Sequence, residues 1–286
     1  MGSRQVVVLG NGQLGTALAR IGGATVTILD RTVLDLAQLE AIAPTILRYQ
    51  PEVVINAAAY NAVDGAEAHP EQAFSVNAIA PGLIARAATR AGARFVTVST
   101  DYVFDGDAHE PYLEDAIPRP LGVYGASKLA GEYLALANAP QALVVRTSTV
   151  FGAARSGRPA GFINAILRKL ESNPDALEVV TDQRNAPTYA VDLATTIFAL
   201  LERGAAGVIH VANAGTCSRY ELALATVEAL GLTVPVVPVT TEERPDTARR
   251  PRYSALGSSR LPGFGIEMPH WRDALNRYLR ELGKTV

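Results

Sequence analysis

Tyr124 and Lys128 stand four residues apart, and the pair Ser99-Thr100 precedes the tyrosine by about 24 residues. On a helix, residues four apart share a face. A free phenol titrates near ~10, too high for efficient proton exchange at neutral pH, and a neighbouring ammonium is expected to lower it. A threonine hydroxyl at a strand end can donate to a carbonyl oxygen. Far upstream, Gly10-Asn11-Gly12-Gln13-Leu14-Gly15 follows the apolar run Val6-Val7-Val8-Leu9. In a strand–turn–helix unit Gly10 allows the tight turn, Gly12 lets the backbone approach a pyrophosphate, and Gly15 allows close helix packing. The phosphates then face the free N–H groups of the helix N-terminus. An ordinary β–α turn also uses glycine, but the two motifs together point to hydride transfer at a carbonyl carbon.

The elements that must position these groups are legible as a pattern. Apolar strands over residues 5–9, 25–29, 53–56, 95–100 and 143–147 alternate with helical patterns over 13–21, 33–50, 70–91 and 124–137. Strands that are apolar throughout, separated by helices, indicate a parallel sheet covered on both faces. The expected fold is α/β, a Rossmann-like doubly wound parallel sheet with a smaller C-terminal substrate-binding lobe. Residues 1–150 read as the dinucleotide-binding domain, with a return segment at about 181–214. Residues 151–180 and 215–286 read as the smaller lobe.

Ligands of such sheets sit at the C-terminal strand edge. Asp30 ends the second strand, where an acid bonds the adenosine ribose and favours NADH. Arg31 follows it, where a guanidinium would favour NADPH, and the two cofactors stay open. Asn56-Ala57-Ala58-Ala59 ends the third strand, and small residues there admit a flat ribose or nicotinamide. Strand–helix packing would use the same alanines. The loop 152–161 follows the fifth strand, so Arg155 and Arg158 are expected over the cleft mouth, pairing with substrate phosphates.

Of 286 residues, 48% are hydrophobic and 19% charged, the profile of a compact globule. A net charge of -2 gives no electrostatic case for nucleic acid or an anionic membrane. No apolar stretch approaches a membrane span, and the early glycine turn is unlike a signal peptide. The single Cys217 excludes an intramolecular disulfide and fits a reducing, cytoplasmic setting. The four histidines are not at metal-ligand spacing, so no metal site is assigned.

The chain resembles the extended short-chain dehydrogenase/reductases, and most closely the dTDP-4-dehydrorhamnose reductase family. The matching segments are Gly10 to Gly15, Val54-Ile55-Asn56-Ala57-Ala58-Ala59-Tyr60 with Asp64 and Glu67, and Asn77-Ala78 with Ala80-Pro81. They continue with Ser99-Thr100-Asp101-Tyr102-Val103-Phe104-Asp105-Gly106, Tyr124-Gly125 with Ser127-Lys128 and Gly131-Glu132, and Arg146-Thr147-Ser148. Asp182-Gln183, Pro187-Thr188-Tyr189-Ala190 and Arg250-Pro251 with Ser254 complete them. The resemblance covers nearly the whole chain, and Ser-Thr-Asp-Tyr-Val-Phe is its most specific stretch.

The resemblance implies a catalytic trio of Thr100, Tyr124 and Lys128. It implies a cofactor lining of Gly12, Gln13, Leu14, Asp30, Ala57, Ala58, Ala59, Tyr124 and Lys128, and a sugar contact at Asp101. The implied reaction reduces the C4 ketone of a dTDP-4-keto-6-deoxyhexose, a nucleotide-diphosphate sugar. Three departures stand out. Thr149 replaces a usual tryptophan, the loop 153–161 is longer and carries Arg155 and Arg158, and Asn185 replaces a usual glycine. They point to an altered sugar pocket at Thr149, in rhamnose or related deoxysugar synthesis. Some members dimerise through acidic residues and Mg²⁺. A homodimer is thus one open state for this chain, and the sequence fixes neither the oligomeric state nor a Mg²⁺ site. A related non-catalytic protein, the NADP-binding regulatory subunit of methionine adenosyltransferase, is the alternative.

Overall fold

The computed structural model describes residues 5–155, 161–243 and 248–284. Its centre is a six-stranded sheet of β1 (Val6–Leu9), β2 (Val26–Leu29), β3 (Val53–Asn56), β4 (Arg94–Thr100), β5 (Leu143–Thr147) and β6 (Gly207–His210). The order is β6-β5-β4-β3-β1-β2, and every neighbouring pair is parallel. β1, β3 and β5 are buried along their whole length, which is why their sequences are apolar rather than alternating. Leu9 is level with Asn56 and Asn56 with Thr97, so β4 runs on past that level to Thr100, beside Thr147.

Helices cover both faces. Val6 and Val8 point to a core shared with α1 (Gln13–Gly22) and α6 (Ala190–Glu202), through Leu14, Leu18, Leu193 and Ile197. Val7 and Leu9 point the other way, to Ile42, Ile46 and Ile84 of α2 (Leu39–Tyr49) and α3 (Ala80–Arg90). This is the period-two alternation of a strand feeding two cores at once. α4 (Val123–Asn138) packs beside α3.

A third core joins α5 (Phe162–Glu171), α7 (Arg219–Ala229) and α8 (Trp271–Glu281), with Phe151, Leu167, Leu222, Trp271 and Tyr278 inside it. Beside it Leu177–Val180 pairs in parallel with Val236–Val239. Between these segments the chain re-enters the main sheet as β6 on β5, as the sequence pattern anticipates.

Two local expectations are corrected. Residues 33–38 are turns, and α2 starts only at Leu39. The carboxylates of Asp30 and Asp35 accept from the backbone N–H of Thr32 and Ala37, each at 3.0 Å, and these Asx turns outcompete the first helical turns. The helix expected over 70–91 is interrupted by a π-helical turn at Ser75–Ile79. Among the described residues, no helix is long and apolar enough to cross a membrane.

Candidate active site

The glycine turn behaves as its spacing requires. Gly10 sits at φ +102°, and a Cβ on Gly15 would lie 2.0 Å from the Gly10 carbonyl oxygen. Either substitution breaks the turn. α1 starts after Gly12 with no side-chain cap, and Gly12, Gln13 and Leu14 line a cleft of about 410 Å³. The uncapped N–H groups of that first turn suit a pyrophosphate. Ala57, Ala58 and Ala59 form the adjoining stretch of lining, with Asn56 Oδ1 accepting from Ala58 N at 3.2 Å. Gly10 and Gly15 shape the turn from behind and do not line the cleft.

α4 presents Tyr124 and Lys128 to the same cleft. Its start is locked by Asn77, whose amide donates to Ser127 Oγ (3.1 Å) and to the Tyr60 carbonyl (3.1 Å) while accepting from Tyr60 N (2.8 Å). A Cβ on Gly125 would lie 2.1 Å from the Tyr102 carbonyl oxygen, so only glycine lets α4 approach that segment. The Tyr102 and Tyr124 rings meet edge to face at 5.9 Å.

Burial pushes the Tyr124 phenol above its ordinary value, against a hydrogen bond with Thr100 that lowers it; charge on Asp101 and Tyr102 adds to the rise. This reverses the lowering expected from the Tyr–Lys spacing. The physical reason is desolvation of a phenolate in a largely apolar wall. Burial also pulls Lys128 down to about 8, with Glu132 opposing. Lys128 Nζ donates to the Val98 carbonyl at 2.6 Å. Beneath it Glu132 is fully engaged. It accepts from Ser99 Oγ at 2.5 Å and from Arg146 through Nε (2.9 Å) and Nη2 (2.7 Å).

Asp101 lines the cleft but is only 2% exposed. Its carboxylate accepts from Thr100 Oγ1 (3.1 Å), Ser148 Oγ (2.8 Å) and Ser254 Oγ (2.5 Å), and burial pushes it above the usual carboxylate range against those bonds. It therefore ties the end of β4 to the chain after β5 and to the distant segment around Ser254.

The far wall includes residues the sequence reading did not single out. Asn61, Val63, Tyr102, Thr147, Phe162 and Arg219 all line the cleft. Two buried polar atoms lack a hydrogen-bond partner among the described residues, Thr147 Oγ1 and Arg219 Nε, and both belong to lining residues. Thr149 also lines the cleft and holds φ +39°, a strained backbone for a β-branched residue. The capping box Ser218-x-x-Glu221, readable in the sequence, announces the helix start that carries Arg219. It gives no hint of which cleft that start faces.

Other expected residues lie elsewhere. Asp30 and Arg31 follow β2, outside the lining, where Thr32 Oγ1 donates to Asp30 Oδ1 at 2.6 Å and Arg31 Nε to Asp35 Oδ2 at 3.0 Å. Arg155 is exposed and not part of the lining; its backbone N–H donates to Thr16 Oγ1 at 2.9 Å. Loop order placed it over the cleft mouth, but that backbone bond draws it to α1. Arg158 lies outside the described residues. Among the described residues no group of three or more His, Cys, Asp or Glu side chains is placed to hold a metal ion.

The sequence profile described as the RmlD substrate binding domain matches residues 4–284. The dTDP-4-dehydrorhamnose reductase of Mycobacterium tuberculosis is 42% identical over 284 residues, covering 96% of this chain and 91% of that protein. The chain belongs to the dTDP-4-dehydrorhamnose reductase family. A second relative, the spore coat polysaccharide biosynthesis protein SpsK of Bacillus subtilis, is 38% identical and covered to 97% on both sides. The crystal structure of dTDP-4-dehydrorhamnose reductase from Bacillus anthracis in complex with NADP superposes with a TM-score of 0.92 at 35% identity, covering 97% of this chain and 99% of that one. Thr100, Tyr124 and Lys128 line one cleft. Thr149 and Asn185, the two positions expected to depart from the family pattern, both fall among the described residues. Thr149 occupies the wall, and Asn185 is buried in a short antiparallel pair with Cys217.

Proposed function

We propose that the protein is an NADH- or NADPH-dependent reductase acting on the C4 ketone of a dTDP-4-keto-6-deoxyhexose, in rhamnose or related deoxysugar synthesis. One observation carries the reading. In a chain of this family, Thr100 and Tyr124 share a cleft with an uncapped helix N-terminus behind a glycine turn. The residues fit a dinucleotide: the free N–H groups after Gly12 take its pyrophosphate, Ala57 to Ala59 leave room for a flat group, and Lys128 takes the nicotinamide ribose. When bound, the cofactor supplies the hydride.

The chain's own residues do the rest. Thr100 Oγ1 and the Tyr124 hydroxyl hold the ketone oxygen, which gains negative charge as its carbon is reduced. Tyr124 gives its phenolic proton to that oxygen, so the carbonyl gains a hydride at carbon and a proton at oxygen to become an alcohol. The raised pKa suits this direction, because it keeps the tyrosine protonated until the alkoxide forms. The Lys128 ammonium then stabilises the phenolate left behind. Asp101, held by three hydroxyls, fixes Thr100 at the oxygen and borders the sugar. Thr149 shapes the wall where a tryptophan usually stands.

The expected division of labour belongs to the same reading: residues 1–150 with 181–214 for the cofactor, 151–180 and 215–286 for the sugar. A cytoplasmic homodimer is part of it. The test is oxidation of NADH and NADPH on adding dTDP-4-keto-6-deoxyhexoses of different configuration, with the product's stereochemistry assigned. A folded, cofactor-binding protein that oxidises neither with any of them would return the reading to the non-catalytic, NADP-binding regulatory subunit.

A further inference from the structure

Resting on that reading, we propose that Arg219 is the residue that receives the diphosphate of the nucleotide-sugar substrate. Among the described lining residues the cleft has two cations, Lys128 and Arg219. Lys128 is committed beside Tyr124, with its ammonium on the Val98 carbonyl. Arg219 comes from the other lobe. No carboxylate pairs with it among the described residues, and its Nε is buried without a partner. A guanidinium has five N–H donors. Only a 3.3 Å bond from Nη2 to the Tyr102 hydroxyl is made here. Buried donors of a charged group are costly to leave unmet, so the arrangement calls for an acceptor in the cleft.

The side chain is built into place rather than trailing in solvent. Its guanidinium carbon lies over the Phe162 ring, 5.4 Å from the centroid, a cation–π contact that helps hold it at the cleft. Its backbone N–H donates to the Gln183 carbonyl at 3.1 Å. It opens α7 directly after Ser218, whose hydroxyl and Glu221 close a reciprocal cap at 3.0 and 2.7 Å. Tyr102, which touches the guanidinium, also packs against Tyr124. A pyranose carries its C1 substituent across the ring from C4. A ketone at Tyr124 therefore sends a C1 diphosphate one ring-width away, towards the guanidinium. A planar fork and a diphosphate are complementary in charge and in hydrogen-bond geometry.

The test measures binding of dTDP, thymidine and NADPH to wild type, R219Q and R219K by calorimetry, with thermal melts as the check on folding. The wild type should bind dTDP more tightly than thymidine. R219Q should lose roughly 10- to 100-fold in dTDP affinity, the range of one charge-assisted contact, with thymidine and NADPH unchanged. R219K should fall between, because it keeps the charge and loses the fork. A general structural role would weaken all three ligands together. Unchanged dTDP affinity in R219Q, loss confined to NADPH, or a wild type that does not prefer dTDP to thymidine would each overturn the proposal. Turnover by the wild type is scored separately. Arg219-dependent dTDP binding without any ketone reduction would keep this site and sink the reductase reading. Turnover with dTDP affinity indifferent to Arg219 would do the reverse.

Discussion

The two walls of the cleft are made in different ways. The cofactor wall comes from consecutive strand ends: Gly12 to Leu14 after β1, Ala57 to Ala59 after β3, Thr100 at the end of β4, then Tyr124 and Lys128 on the following helix. Sheet register sets the strand ends, and Asn77 with the close approach at Gly125 sets the helix that follows. The facing wall comes from Thr149, Phe162 and Arg219, which share no sheet, and Arg219 is held by its bond to Tyr102 and by the cap at Ser218. A wall set by backbone register tolerates little change in position. A wall set by side chains can be altered one residue at a time, so a change at Thr149 need not disturb Thr100 or Tyr124.

The largest effect should fall on the first wall. Tyr124→Phe keeps the ring and removes the proton, so kcat should drop at least about a hundredfold with NADPH affinity retained. Near-wild-type turnover in that variant would remove the tyrosine from the chemistry. Next in size is pH. The Lys128 ammonium is present below about 8 and lost above it. On that basis kcat/KM should fall by about tenfold per pH unit on the alkaline side. A flat profile from pH 7 to 10 would show that the ammonium has no part.

A smaller change probes the seam between the walls. Ser254→Ala takes one of three hydroxyl donors from the buried Asp101 carboxylate. Chemical denaturation should show a loss of about 1–3 kcal/mol, with KM for the sugar raised more than KM for the cofactor. Equal stability and kinetics would mean that Asp101 does not couple the two walls. The smallest effect is expected at Arg155. Its exposed side chain predicts a stability change within about 0.5 kcal/mol for Arg155→Ala and an unchanged substrate KM. A raised KM would restore it to the facing wall.

This contrast also explains what the sequence revealed. The cofactor wall was legible because turns, apolar strands and a four-residue helical spacing are local signals. The apolar periodicity over 33–50 overshoots the start of α2 because the Asp30 and Asp35 side chains hold turns ahead of it. The π-helical turn at Ser75–Ile79 has no 3.6-residue signature, yet it carries Asn77, which positions the start of α4. The lowered tyrosine was expected from spacing alone, and spacing says nothing of desolvation. On the facing wall, arginines were sought next to the fifth strand in the chain. Arg219 lies far beyond it, and only tertiary packing against Phe162 and Tyr102 brings it to the cleft.

The carbonyl of Gly152 lies 3.2 Å from Gln13 Nε2 of the glycine-turn helix and from the Tyr278 hydroxyl of α8, whose one proton Gly152 shares with Asn164 Oδ1 at 2.6 Å. On a ribosome adding about 5–20 residues per second, Tyr278 is polymerised roughly 13–50 s after Gln13. The nascent chain thus carries a dinucleotide turn for much of its synthesis before the residue that finishes its support exists. A nascent chain stalled before α8 should display the sheet but hold nucleotide loosely.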